Sequence, residues 1–265
     1  MSASLPVRMV EKPWGRDVLP APFTAPLGQR IGEIWFEPPP QLSQLLVKYI
    51  FTSEKLSVQV HPSDVQLPGQ GKEECWLVVD AEPGAALGIG FREAIGADAM
   101  RAAALDGSIE GLLEWHPVSA GDFFYIPANT VHAIGAGVSL IEVQQNSDVT
   151  YRLYDYGRPR ELHLDEGVAV ARGERYSPTS RLHVRGSGSL SLVSGPRFRL
   201  DWVQGARKDA ACADYGNKPV LVVPIQQAIG IGGEVIAPGS CGISASLAAI
   251  SFANDGLCLI AQPCN

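Results

Sequence analysis

Between Leu56 and Asp64 the chain reads Leu-Ser-Val-Gln-Val-His-Pro-Ser-Asp, a short alternating run closed by a proline. Successive side chains of a β-strand point to opposite faces, so Gln59 and His61 share one face while Val58 and Val60 turn into apolar packing. Pro62 cannot donate to a ladder, and the pairing stops there. A strand that ends in this way is a place to build a metal site. Two further segments supply partners. Gly71 to Val79 reads as a strand with Lys72 and Glu74 on one face, and Gly121 to Ala133 as a strand and turn that delivers His132. Brought together, they offer two imidazoles, a carboxylate and an amide oxygen.

Imidazole and carboxylate without thiolate suit Zn²⁺, Mn²⁺, Fe²⁺ or Co²⁺, and a site that leaves positions to water or substrate is catalytic rather than structural. Taken singly, each of these residues is more often a surface histidine or a paired carboxylate. Together, the three short β-rich segments resemble the two-part cupin pattern. Gly121, Pro127 and His132 stand where that motif has its glycine, proline and histidine. The expected fold is mainly β: a cupin jelly-roll barrel with a short helical insertion and a second, smaller, degenerate cupin-like barrel.

With 265 residues, 46% hydrophobic and 18% charged, the chain can bury a substantial core as one large or two small domains. It has no basic N-terminal start leading into an apolar block, and no run of roughly 18 uncharged apolar residues, so neither a signal peptide nor a membrane span is expected. The expected location is the cytoplasm. Cys75, Cys212, Cys241, Cys258 and Cys264 are odd in number and not spaced for zinc, which favours reduced thiols over a disulfide framework. A net charge of −7 disfavours nucleic acid. A small anion needs only a local cluster of donors, and Lys72 and Arg152, joined by Arg158 or Arg160, could form one at the mouth of a barrel. For Arg158 and Arg160 the favoured reading is a solvated loop. Tyr151 to Tyr156 alternates like a strand, which places Arg152 on a face with Tyr154 and Tyr156. If buried there, the arginine needs an anion or a carboxylate.

Along the chain, residues 1–30 are rich in Pro, Gly and Ala and read as an extended arm against the first barrel. Ile31 to Phe36, Leu45 to Phe51 and Ser139 to Gln145 read as strands. Residues 93–114 carry apolar residues at helical spacing, with Gly107 separating two short helices, and Leu162 to Arg172 suits a helix opening near Asp165. The expected division is a catalytic barrel over residues 1–157, a helical linker over 158–180 and a C-terminal β unit over 181–265. In that last unit, strands are expected at Leu190 to Val193, Phe198 to Val203, Val220 to Val223, Gln226 to Ile231 and Leu257 to Ala261. His183 is its only histidine, so it reads as a metal-free support for the first barrel. His116, beside Pro117, is read as a turn residue and His163 as a cap or ion-pair residue at a helix start. Trp14, Trp35 and Trp76 are read as packing residues.

The strings SVQVHPSD, GKEECW, GDFFYIPANTVHAIG and VQQNSDVTYRLYDYGRPRELHLDE, in this order and spacing, resemble the class I mannose-6-phosphate isomerases in their bacterial short form. The resemblance runs from about Lys12 to about Gly167. It implies that Gln59, His61, Glu74 and His132 are metal ligands, that Arg152 is a catalytic arginine and that Lys72 lies near the metal, which is expected to be Zn²⁺ with Mn²⁺, Co²⁺ or Fe²⁺ as alternatives. The implied substrate is a small sugar phosphate, with no nucleic acid or membrane partner and either a monomer or a homodimer. The implied reaction interconverts mannose 6-phosphate and fructose 6-phosphate through an enediol-like intermediate whose charge needs stabilising. Glu142 and Asp148 are the candidate bases. Isomerisation of an unphosphorylated sugar, an iron oxygenase and a non-catalytic sugar-binding or regulatory metal cupin are the alternatives. Lys72 together with Arg152 favours an isomerase acting on an anionic sugar.

Overall fold

The alternating segments pair into antiparallel sheets. The computed structural model describes residues 3–184, 188–205 and 215–264. Its N-terminal part runs β1 (Val7–Arg16), β2 (Ile31–Phe36), β3 (Leu45–Phe51), β4 (Val58–Val60), β5 (Glu74–Ala81), β6 (Ala86–Phe91), α1 (Ala97–Asp106), α2 (Ile109–Leu112), β7 (Leu113–Pro117), β8 (Asp122–Ile126), β9 (His132–Ile134), β10 (Val138–Gln145), β11 (Tyr151–Tyr154), α3 (Leu164–Val170) and β12 (Arg181–His183). These strands form a seven-stranded sheet in the order β1-β2-β3-β10-β5-β8-β12 and a five-stranded sheet in the order β11-β4-β9-β6-β7. Ile50, Trp76, Val78, Phe124 and Leu140 of the first pack with Leu87, Ile89 and Ile134 of the second, which makes the inside of a cupin jelly roll.

The larger sheet is covered on its other face as well. Val47, Phe51, Leu77, Phe123, Ile141 and Val143 pack against Phe198, Leu200, Leu221 and Leu259 from the C-terminal half. Burial on both faces explains why Leu45–Phe51 is buried at every position and reads as a nearly continuous apolar run. Each fully buried phenylalanine there contributes about 1.5–3 kcal/mol from removal of its surface from water. The C-terminal strands are β13 (Leu190–Ser194), β14 (Phe198–Gln204), β15 (Val220–Gln226), β16 (Ile229–Ile231), β17 (Glu234–Ile236), β18 (Gly242–Ser244), β19 (Ile250–Ser251) and β20 (Leu257–Pro263). They form sheets ordered β13-β14-β20-β15-β18 and β17-β16-β19.

The helical insertion is present. Met100, Ala103 and Ala104 form a buried stripe at helical spacing that packs, with Ile109, on Val58, Val60 and Leu153. Gly107 ends α1 at φ 82°, and a side chain there would meet the Tyr154 ring at 2.9 Å, so the turn needs a glycine on both counts.

Several expectations change. Within the expected extended arm, residues 7–16 form a regular strand at the sheet edge, and register shifts after Val10 and Glu11 disguise its alternation. Arg181–His183 pairs with β8, so this strand and His183 belong to the first barrel's sheet rather than to the C-terminal half. His183 Nδ1 lies 2.7 Å from Asp122 Oδ1. Cys75, Cys241, Cys258 and Cys264 are unpaired thiols, and Cys212 lies outside the described residues. Among the described residues no helix is long and apolar enough to cross a membrane.

His116 is not in a turn. It is buried in β7 beside Phe124 and Tyr176, and its Nδ1 accepts a hydrogen bond from Arg181 Nη1 at 2.9 Å. Burial, then the arginine, lowers its pKa against the pull of Glu114. On acidification the unfolded chain therefore takes up this proton first, so the histidine's contribution to stability is complete above about pH 6.5 and is lost as the pH falls below it. Urea melts between pH 7.5 and 5.5 are expected to show a smaller loss for His116→Gln than for the wild type; equal losses would exclude the histidine as the cause.

Candidate metal centre and substrate cleft

Gln59 of β4 pairs directly opposite His132 of β9, His61 follows the end of β4, and Glu74 opens β5. Hydrogen bonds fix both imidazoles. His61 Nδ1 lies 2.8 Å from the Val149 carbonyl and His132 Nδ1 lies 2.9 Å from the Thr130 carbonyl. A carbonyl only accepts, so each Nδ1 carries the proton and each Nε2 presents a lone pair. His61 Nε2 is 3.5 Å from Glu74 Oε2, and His132 Nε2 is 3.4 Å from Glu74 Oε1. The ligand atoms of His61, Glu74 and His132 lie within 4.8 Å of one another, and each residue is 1% exposed.

These donors fit a divalent cation. Glu74 Oε1 is buried without a hydrogen-bond partner and faces an imidazole lone pair, an arrangement that calls for positive charge between them. Lys72 supplies part of it, with Nζ 2.8 Å from Glu74 Oε2 and 3.1 Å from His61 Nε2. Gln59 turns its amide nitrogen rather than the expected oxygen to this point, with Nε2 3.3 Å from His132 Nε2 while its Oε1 accepts from Ser57 Oγ at 3.0 Å. Burial presses the Glu74 carboxyl upward, but Lys72 and His132 outweigh it and hold it below its usual range. Burial, then Lys72, drives His61 well below the normal imidazole value, and burial lowers His132. Two neutral imidazoles beside an ionised carboxylate are the protonation states that metal ligation requires.

A cleft of about 440 Å³ opens above this floor, lined by Gln59, Lys72, Trp76, Glu142 and Arg152 among others. One wall is a row of side chains across the larger sheet. Arg8 is opposite Trp35, Trp35 opposite Lys48, Lys48 opposite Glu142, Glu142 opposite Trp76 and Trp76 opposite Phe124. Glu142 is buried, with Oε1 3.1 Å from Lys48 Nζ and Oε2 accepting from Trp76 Nε1 at 3.0 Å. The Lys48 ammonium lies 4.5 Å from the Trp35 ring centre and the Arg8 guanidinium 4.2 Å from it. Trp76 meets His132 edge-on at 5.3 Å, which ties the row to the His61, Glu74 and His132 cluster.

Arg152 pairs opposite Gln59 on β11 and lines the cleft, and its Nε donates to the Glu161 carbonyl at 2.8 Å. Burial, then Arg160, lowers its pKa. The shared face with Tyr154 and Tyr156 does not form. A bulge follows Arg152, Tyr154 packs with the helical insertion, and Tyr156 lies beyond the strand at φ 55°. Lys72 precedes β5 rather than sitting on it with Glu74, although both side chains reach the centre. Arg158 and Arg160 are not solvated loop residues. Arg160 makes two 2.6 Å bonds to the buried Asp155 carboxylate and lines the cleft, while Arg158 bonds Asp155 at 3.1 Å and Glu54 at 3.2 Å. His163 also lines the cleft and its side chain caps no helix N–H, although its Nδ1 accepts the Arg152 N–H at 3.3 Å. Trp14, Trp35 and Trp76 pack and also form cleft wall. Asp148 is exposed at the rim.

Lys12, Glu33 and Lys48 line the cleft as well. The signal for Lys48 was one charge inside the otherwise apolar Leu45–Phe51, at an inward position by alternation.

No protein-family model matches the chain. It is 36% identical over 217 residues to the mannose-6-phosphate isomerase of Streptococcus mutans serotype c, a match that covers 74% of this chain and 68% of the relative. It is 42% identical over 137 residues to mannose-6-phosphate isomerase ManA of Bacillus subtilis, covering 48% of this chain and 43% of that one. Among solved structures, the mannose 6-phosphate isomerase from Bacillus subtilis superposes with a TM-score of 0.72 at 23% identity, over 98% of each chain. A zinc-bound mannose 6-phosphate isomerase superposes with a TM-score of 0.73 at 14% identity, over 99% of each chain. At such identities the superpositions speak for the fold, while the Streptococcus match at 36% identity extends over more than two thirds of that relative: the chain belongs to the mannose-6-phosphate isomerase family.

Proposed function

We propose that the chain is a metal-dependent isomerase that interconverts mannose 6-phosphate and fructose 6-phosphate, with the metal held by His61, Glu74 and His132 and approached by Gln59. The observation that carries this reading is the orphaned Glu74 oxygen among imidazole lone pairs, at the floor of a cleft walled by Lys72, Arg152 and Glu142. Nitrogen and oxygen donors without sulfur suit Zn²⁺, the ion we assign, and also admit Mn²⁺, Co²⁺ and Fe²⁺. Residues up to 184 form the catalytic unit in this reading, and residues 188–264 support it.

The reaction moves one hydrogen between adjacent carbons. A divalent ion held by His61, Glu74 and His132 would withdraw charge from the substrate's carbonyl and so make the adjacent carbon-bound proton more acidic. Glu142 takes that proton from C2 of the open-chain aldose. The C2–H electrons become the C1–C2 double bond and the carbonyl π electrons move onto the C1 oxygen. The proton of the C2 hydroxyl passes to that oxygen, and as the C2 carbonyl forms, Glu142 returns its proton to C1, which leaves the ketose. Trp76 Nε1 and Lys48 hold the carboxylate in one orientation, which converts a collision into a short, aimed transfer. Lys72 and Arg152 place positive charge beside the oxygens that bear the developing negative charge.

The test is conversion of mannose 6-phosphate by the purified protein after chelation and after single additions of Zn²⁺, Mn²⁺ or Co²⁺. Turnover is expected to vanish with the chelator and to return with metal. Metal uptake without conversion of either sugar phosphate would overturn the substrate, and turnover indifferent to chelation would overturn the mechanism.

A further inference from the structure

The segment between β4 and β5 carries Lys72 just ahead of the ligand Glu74, and it is closed by one carboxylate. Asp64 Oδ1 accepts the Gly71 N–H at 3.0 Å, and Oδ2 accepts Gln145 Nε2–H at 3.0 Å. The same Oδ2 lies 3.1 Å from Arg197 Nε, which comes from the turn between β13 and β14 of the C-terminal sheet. Gln145 passes the contact on, its Oε1 accepting the Glu73 N–H at 2.9 Å. The hydrogen-bonded residues are immediate chain neighbours of the site: Gly71 and Glu73 flank Lys72, and Glu73 directly precedes Glu74. The closure is tight: a Cβ at Gly71 would lie 2.4 Å from the Asp64 backbone nitrogen and 2.8 Å from its Oδ1. Arg197 is anchored from behind, since its carbonyl accepts the Cys264 N–H at 2.8 Å just past the last strand.

We propose that Arg197 and Asp64 are positioning residues, a clasp through which the C-terminal sheet sets the placement of Lys72 and Glu74 at the metal centre. The inference rests on the metal reading above. The Arg197 side chain is 38% exposed and that of Asp64 17%, and an ion pair so open to water adds little to global stability. Its effect is local. Asp64 joins the β4–β5 segment to the end of β10 and to the C-terminal turn, and it adds the C-terminal sheet to the hydrogen bonds from Lys72 N–H to the Pro62 carbonyl and from Gln145 N–H to the Glu73 carbonyl that also hold the entry to β5. Groups that orient ligands from behind in this way alter metal affinity by about 10–100-fold when removed.

The experiment measures Zn²⁺ affinity by competition with a chromophoric chelator in the full-length wild type, Arg197→Ala, Arg197→Lys, Asp64→Asn and the Arg197→Ala/Asp64→Asn double variant. Thermal unfolding of each metal-free chain is followed alongside. Asp64→Asn is expected to weaken Zn²⁺ about tenfold and Arg197→Ala about threefold to fivefold, with Arg197→Lys near the wild type. The double variant should fall no further than Asp64→Asn, because both residues act through one contact. A merely structural pair would lower the unfolding temperature and leave the affinity of the folded chains unchanged, and that result overturns the clasp. A wild type that binds no Zn²⁺ overturns the metal reading and the clasp together, whereas a wild type that binds and variants that bind equally overturn the clasp alone.

Discussion

Glu142→Gln is expected to retain the metal and to lower turnover about a thousandfold, within the range by which a positioned proton-transfer group accelerates such a step. Glutamine keeps the shape and an oxygen for Trp76 Nε1, but it has no lone pair basic enough to take a carbon-bound proton. The substitution also replaces a charged partner of Lys48 by a neutral one, so unfolding is measured in parallel to separate lost chemistry from lost structure. Asp148→Asn is the contrast. Asp148 stands exposed at the rim, where water competes for its carboxylate, and its loss is expected to affect turnover less. If the two variants rank the other way, the base is Asp148.

Glu74→Ala is expected to abolish metal binding and turnover together, and to destabilise the chain even when both proteins are compared without metal. The reason lies in Lys72, whose side chain is 6% exposed and whose charge is compensated first by Glu74 and then by Glu142. Removing one member of a buried ion pair typically costs about 3–5 kcal/mol because the other is left charged and desolvated. For a chain of this size that is a fall of roughly 6–20 °C in unfolding temperature. Glu74→Ala combined with Lys72→Met removes both charges, and it should recover most of the lost stability and none of the activity. Differential scanning calorimetry of the metal-free chains decides this, and equal melting of wild type and Glu74→Ala would show that the pair contributes nothing to the fold.

What could be read in the chain follows from how local each signal is. Ile31–Phe36 and Leu45–Phe51 appear at the expected bounds because alternation and β-branched residues are properties of a few neighbours. The trio His61, Glu74 and His132 was legible because each stands beside a strand end and their donors suit a metal, while the assignment to a reaction came from the family resemblance. β1 escaped because Pro13, Gly15 and two register shifts break its pattern. The Glu142 partnership with Lys48 depends on how β10 sits against β3, and nothing near either residue specifies that register. Arg158 and Arg160 looked solvated because Asp155, which binds both, is an ordinary aspartate until it is buried. His116 was misplaced for the same reason: its partner Arg181 arrives on a strand that had been given to the other half of the molecule.

Under the proposed mechanism, the row from Arg8 to Phe124 makes catalytic competence depend on strand pairing. Each of its members meets the next only through a particular register between neighbouring strands. A slip of one residue turns a strand's side chains to the opposite face, which would carry Glu142 or Lys48 into the apolar layer shared with the C-terminal sheet. In the proposed mechanism a mispaired chain can be compact and strand-rich and yet have no base in its cleft, so that turnover per bound metal would count correctly paired molecules.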